Sequence, residues 1–135
     1  MPIQIKRAYE KPSGADGVRI LVDHLWPRGV GKEDLKLDRW TREIAPSNEL
    51  RQWFQHELAK WPEFRRRFLA ELKPKTKELQ ALVAFARKGT LTLVFAAKDA
   101  EHCNAQVLKE LIERRLTRKA RAKKRNEYGR KVPDC

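Results

Sequence analysis

The longest apolar run in the chain, Leu91 to Ala97 with Thr92 inside it, sets the first limit on what this sequence can fold into. A membrane span takes about 20 apolar residues, so the run cannot cross a bilayer. Together with Thr90 it reads as the clearest of three strands. Val18-Arg19-Ile20-Leu21-Val22 is nearly all apolar and rich in β-branched side chains, as a central strand should be. Ile3 to Tyr9 alternates apolar and polar, the period of a half-buried strand. Lys11 to Gly17 is dense in turn formers. So short a link between the first two strands predicts that, if they are neighbours, they run antiparallel.

Helical spacing takes over between the second and third strands. Asp23 to Lys32 contains Pro27, Gly29 and Gly31 and reads as a loop. Leu37, Trp40 and Ile44 fit a helical stripe in the short segment Leu35 to Ile44, which Ala45-Pro46-Ser47 interrupts. Ser47 can cap a helix that puts Leu50, Trp53 and Phe54 on one face. Trp61, Phe64, Phe68 and Leu72 repeat at intervals of three and four, with Pro62 suited to the first turn and Pro74 to the end. Leu79, Leu82, Val83 and Ala86 form another face before Gly89, and Val107, Leu108, Leu111 and Ile112 a last one. These aromatic stripes read as core, without a base-stacking pattern. The order β-β-loop-α-α-α-β-α predicts an α/β single domain with a small mixed, partly parallel sheet packed with helices.

The 135 residues carry a net charge of +13, and it is unevenly placed. Residues 1–113 hold 21 basic and 16 acidic side chains, and residues 114–135 hold 10 and 2. We therefore divide the chain into an α/β domain, 1–116, and a basic, flexible tail, 117–135. Like charges in such a block repel one another, and a polyanion would relieve that by releasing counterions. Arg114, Arg115, Arg118, Lys119, Arg121, Lys123, Lys124 and Arg125 are the candidate nucleic-acid contacts. The alternative is a tail that only solubilises. Two cysteines allow at most one disulfide and no C-x-x-C metal knuckle. The N-terminus lacks the pattern of a signal peptide, so a cytoplasmic protein without membrane contact is expected.

In open α/β sheets, ligands settle beyond the carboxyl ends of parallel strands. The second strand leads into Asp23, His24 and Arg28, the third into Asp99, His102 and Cys103. If those strands are neighbours, both sets meet at one edge. Arg28, between Pro27 and Gly29, is placed either to grip a phosphate or carboxylate or to pin Asp23 or Asp99 in an internal ion pair. Asp23, Asp99 and His102 are the candidates for proton transfer, if chemistry occurs; Arg28, Trp26, His24 and Cys103 are the candidate ligand contacts. Asp23 can equally cap the turn that follows it, Asp99 or Asn104 can cap the last helix, and Trp26 can be core. A helix start beside Cys103 would favour its thiolate. Gly29-Val30-Gly31-Lys32 falls short of a Walker loop, because one residue separates the glycines and Glu33 follows the lysine. No spacing is diagnostic of a metal and no motif names a cofactor. The implied partners are a small anionic ligand or nucleic acid.

Several strings together resemble the YeaO-like family. They are Ile3-Gln4-Ile5-Lys6-Arg7, Val22-Asp23-His24-Leu25-Trp26-Pro27-Arg28-Gly29, Ala45-Pro46-Ser47 with Leu50-Arg51-Trp53-Phe54-His56, Phe64-Arg65-Arg67-Phe68-Glu71-Leu72, and Thr90 to His102. The similarity runs in unbroken order over about residues 3–115. It implies an α/β fold and no established reaction, because the wider set consists of bacterial and archaeal domains of unknown function. Relatives in that set often carry Cys-His-Arg after the strand matching Thr90 to Ala97; here the string is His102-Cys103-Asn104. The missing His-Arg pair weakens any thiol chemistry carried over. His24 stands where arginine is common, and Phe68 where tyrosine is common. The basic extension after Leu116 lies outside the similarity.

Overall fold

In the computed structural model, which describes residues 3–129 and the side chains as far as Thr117, four parallel strands form one sheet in the order β1-β4-β2-β3. They are β1 (Ile3–Arg7), β2 (Val18–Leu21), β3 (Arg39–Trp40) and β4 (Leu91–Phe95). The helices are α1 (Lys32–Leu35), α2 (Asn48–Phe54), α3 (Trp61–Leu72), α4 (Thr76–Lys88) and α5 (Asn104–Gly129). The α/β reading of the sequence holds.

The apolar run is the hinge of the architecture. Every residue of β4 is buried, and β4 pairs with β1 on one side (Ile3↔Leu91 to Arg7↔Phe95) and β2 on the other (Val18↔Leu91 to Leu21↔Val94). β1 and β2 are therefore not neighbours. The short link between them does not make a hairpin: it passes across β4, and both strands run parallel to it.

Alternation along the strands divides the core in two. Ile3, Ile20, Val22, Leu91, Leu93 and Phe95 face helices α2 to α5, whose buried residues include Phe54, Phe68, Leu79 and Leu108. On the other face Ala8, Leu21, Leu35 and Val94 pack with Trp26, Val30, Leu37 and Trp40 from the segment between β2 and α2.

That segment departs from the helical stripe expected over Leu35 to Ile44. Lys36, at φ 48°, ends α1. Asp38 then clamps β2, its N–H donating to the Arg19 carbonyl and its carboxylate accepting from the Arg19 N–H, both at 2.8 Å. This lays Arg39 and Trp40 against Ile20 and Leu21 as a short edge strand. Tertiary pairing overrides the local period here. Ser47 does cap α2, its Oγ accepting from the Leu50 N–H at 3.1 Å.

The β1–β2 link holds a feature its turn-rich composition concealed. Asp16, 2% exposed, accepts hydrogen bonds from the Ser13 N–H (3.0 Å), Gln4 (3.2 Å), Lys6 (3.1 Å) and Arg19 (2.6 Å). The Arg19 guanidinium, also buried, donates from Nε and Nη2 to the Leu35 carbonyl. Burial would raise the Asp16 pKa, but the hydrogen bonds from Ser13, Lys6 and Arg19 outweigh it, and the carboxyl lies below its ordinary value. Gly17 follows at φ 64°, where a Cβ would stand 2.2 Å from the Thr90 carbonyl oxygen. Only glycine lets the chain enter β2 so close to β4.

Candidate functional site

Because β2 and β4 are neighbours, the residues leaving their carboxyl ends meet. Asp23 joins the two corners. One carboxylate oxygen accepts from the Ala96 N–H at 2.8 Å, just beyond β4. The other accepts from the Asn104 side chain at 3.0 Å, at the start of α5. The same Asn104 amide donates to the Val22 carbonyl, and Trp40 Nε1 donates to the Asp23 carbonyl at 2.7 Å. Burial raises the Asp23 pKa above its ordinary value, while the hydrogen bonds from Asn104 and Ala96 and the charge of Arg51 oppose the rise.

Around Asp23 lies an open cavity of about 430 Å³, within the range of small-molecule sites. The loop after β2 contributes His24, Leu25, Trp26, Pro27 and Arg28 to its wall; Cys103 and Asn104 also line it. Arg28 is exposed and enters no ion pair among the described residues, so the internal salt link open to it in sequence is not formed. Trp26 is half-buried, with Nε1 donating to the Val30 carbonyl at 2.7 Å and its ring edge-on to Trp40. It serves the core and the wall at once.

Asp99 and His102 stand outside this wall. One Asp99 oxygen accepts from the N–H groups of Glu101 and His102, and the other meets His102 Nδ1 at 2.9 Å. The His102 hydrogen bond, ahead of other contributions, holds the Asp99 carboxyl below its ordinary value. The His102 ring packs edge-on against Trp61. Asp99 thus caps its turn and orients the imidazole.

Cys103 corrects an expectation. It sits where α5 begins, but burial dominates, and the charges of Asp23 and Asp99 add to it; together they push the thiol up to about 11. The backbone N–H groups of Ala105 and Gln106 favour the thiolate but are outweighed. At neutral pH Cys103 is a protonated thiol, not a nucleophile.

Two basic residues of the wall were not singled out as site residues from sequence: Arg51, on α2, and His56, just after it. Arg51 donates to the Asn48 side-chain oxygen, makes no ion pair among the described residues, and has a buried Nε with no acceptor in the protein. Gln55 and His56, at φ 45° and 58°, are successive non-glycine residues in the left-handed region. Both stand in the string Leu50-Arg51-Trp53-Phe54-His56 that carries the family resemblance, and the Ser47 cap starts α2 at a definite point, but neither says what the polar side of α2 faces.

Of the tail candidates, Arg114 is exposed and Arg115 half-buried; α5 runs on as helix through Gly129. The side chains of Arg118, Lys119, Arg121, Lys123, Lys124 and Arg125 lie outside the described residues. Among the described residues no group of three or more His, Cys, Asp or Glu is placed to hold a metal, and no helix is long and apolar enough to cross a membrane.

Fold and site together define a small α/β domain with a cleft at the ends of its parallel strands. Comparison with known proteins makes the class specific. Residues 2–131 match a family described as "Inactive DUF488-N3 subclade", and the chain belongs to that family. It is 47% identical over 108 residues to the uncharacterised protein YeaO of Escherichia coli K12, covering 80% of this chain and 94% of that one. It is 34% identical over 113 residues to the uncharacterised protein Rv3073c of Mycobacterium tuberculosis H37Rv, covering 84% and 95%. No solved structure matches the chain.

Proposed function

We propose that this protein binds a small ligand bearing a carboxylate or phosphate in the cavity at the ends of β2 and β4. One observation carries the reading. Two guanidinium groups, Arg28 and Arg51, line one cavity without a carboxylate partner among the described residues. An arginine in a concave site is a fork of donors matched to such an anion, and the Arg51 Nε lacks an acceptor. Binding is favoured over catalysis by the protonated state of Cys103 and by the word "inactive" in the family's description. Asp23 remains the wall's candidate for proton transfer; the His102–Asp99 pair stands outside the wall, adjoining the wall residue Cys103 in sequence.

Titration with phosphate and with acetate, followed by calorimetry and amide chemical shifts, tests this. Arg28→Ala and Arg51→Ala are each expected to weaken binding by about tenfold or more, the loss of a charge-assisted hydrogen bond. Unchanged affinity in both variants refutes the reading.

A second reading, nucleic-acid binding through the basic C-terminal region, is supported by the ten basic residues among 114–135 and by the helix that carries most of them through Gly129. It predicts a log–log salt slope of about 0.9 per duplex phosphate contacted. A chain lacking residues 117–135 that binds DNA as well as the full chain rejects it.

A further inference from the structure

We infer that the ligand of this cavity is an organic anion with a flat apolar body, not a bare inorganic ion; the inference rests on the anion-binding reading above and specifies its ligand class. A bare anion would need only the cations, yet the wall is built for more. Phe54 and Phe64 border it from the core, buried and stacked on each other at 4.3 Å, so the apolar surface open to an occupant belongs to other residues of the wall. Three large apolar or aromatic side chains are left exposed among the described residues, and two of them, Tyr9 and Leu25, belong to this wall. Leu25 is 65% exposed and Tyr9 49%. An occupant with an apolar body would take that surface out of water.

The polar groups are placed at the same hollow. Tyr9 Oη donates to the Arg28 carbonyl at 3.2 Å, which ties the exit of β1 to the loop that carries Arg28. At the end of α2, the left-handed turn at Gln55 and His56 sets the His56 ring 5.8 Å from that of Phe54. Left-handed backbone is disfavoured for L-residues, and successive instances persist where surrounding structure holds them. Here the turn places an imidazole on the wall one short segment from Arg51. The cavity thus pairs a cationic head site with an aromatic and aliphatic body site, in a volume suited to a ring-bearing acid.

The test uses the full chain and five probes at one pH and ionic strength: phosphate, phenyl phosphate, acetate, phenylacetate and neutral benzyl alcohol. In at least one arm the phenyl-bearing anion is expected to bind at least about tenfold tighter than its bare counterpart, equivalent to about 1.4 kcal/mol. A gain in either arm supports the inference, and the arm with the larger gain names the head group. Leu25→Ser, at a side chain 65% exposed, is expected to reduce that gain severalfold. Equal affinities for bare and phenyl-bearing anions, or a gain unchanged in Leu25→Ser, overturn the inference while the anion-binding reading stands. Benzyl alcohol binding as tightly as phenylacetate, or no binding by any probe, overturns both.

Discussion

Replacing Asp16 by alanine removes the acceptor at which four donors converge and leaves the Arg19 guanidinium buried at 4% exposure without its anionic partner. Arg19 keeps its bonds to the Leu35 carbonyl, but a neutral acceptor does not offset a buried positive charge. Breaking a buried pair by removing one member costs about 3–5 kcal/mol. For a chain of this length that corresponds to a fall in Tm of roughly 10–20 °C. The same network sets an acid limb. Because the folded carboxyl titrates below its unfolded value of 3.8, its contribution is fully present above that pH and disappears as pH falls through the lowered folded value. Urea and thermal unfolding followed by circular dichroism, from pH 7 down to pH 2, measures both effects. Lys6→Met, at a side chain 19% exposed, should cost far less. Asp16→Leu combined with Arg19→Met should recover much of the loss, since an apolar pair leaves no charge stranded. A loss under about 1 kcal/mol in Asp16→Ala would refute the reasoning, for it would mean that Arg19 finds water or another acceptor.

Gly17→Ala places a Cβ 2.2 Å from the Thr90 carbonyl oxygen at φ 64°, and should cost at least about 2 kcal/mol in urea unfolding; a neutral result would show that the β1–β2 link can shift freely. The raised Asp23 pKa means that the folded state holds its proton to higher pH than the unfolded state. Its stabilising contribution is therefore present below pH 3.8 and is lost as pH rises through the raised folded value. Asp23→Asn should remove this dependence, visible as a flatter plot of urea midpoint against pH above 3.8, and an unaltered slope would exclude Asp23 as its source. With its thiol at about 11, Cys103 should react with iodoacetamide at pH 7.5 at least about tenfold more slowly than a free thiol, and rapid alkylation would contradict its buried, protonated state.

The elements legible in the sequence were those whose evidence is local. Leu91 to Phe95 declares a buried strand by composition, and the Trp61, Phe64, Phe68 and Leu72 spacing declares α3, because each pattern is written within one element. The loop corners were legible in part. β2 and β4 are parallel neighbours and Asp23 bridges their exits through Ala96 and Asn104, but Asp99 and His102 stand outside the cavity wall. Leu37, Trp40 and Ile44 misled for the converse reason. Their spacing fits a helix, yet Trp40 pairs with Leu21 in the sheet, held there by the contact of Asp38 with Arg19. Arg51 and His56 stand in a string that carries the resemblance, but nothing within α2 says that its polar side leans over the strand ends.

By itself the sequence determined which segments bury themselves and at what period, since apolar spacing and turn chemistry act over a few residues. It also determined that a guanidinium held between proline and glycine would follow the second strand. Only the tertiary structure decided that β4 separates β1 from β2, that Asp16 and Arg19 share one buried site, and that Cys103 keeps its proton. Those outcomes depend on distances between residues far apart in the chain, and on the loss of water around charges once the elements pack. Neither quantity exists until the chain has folded.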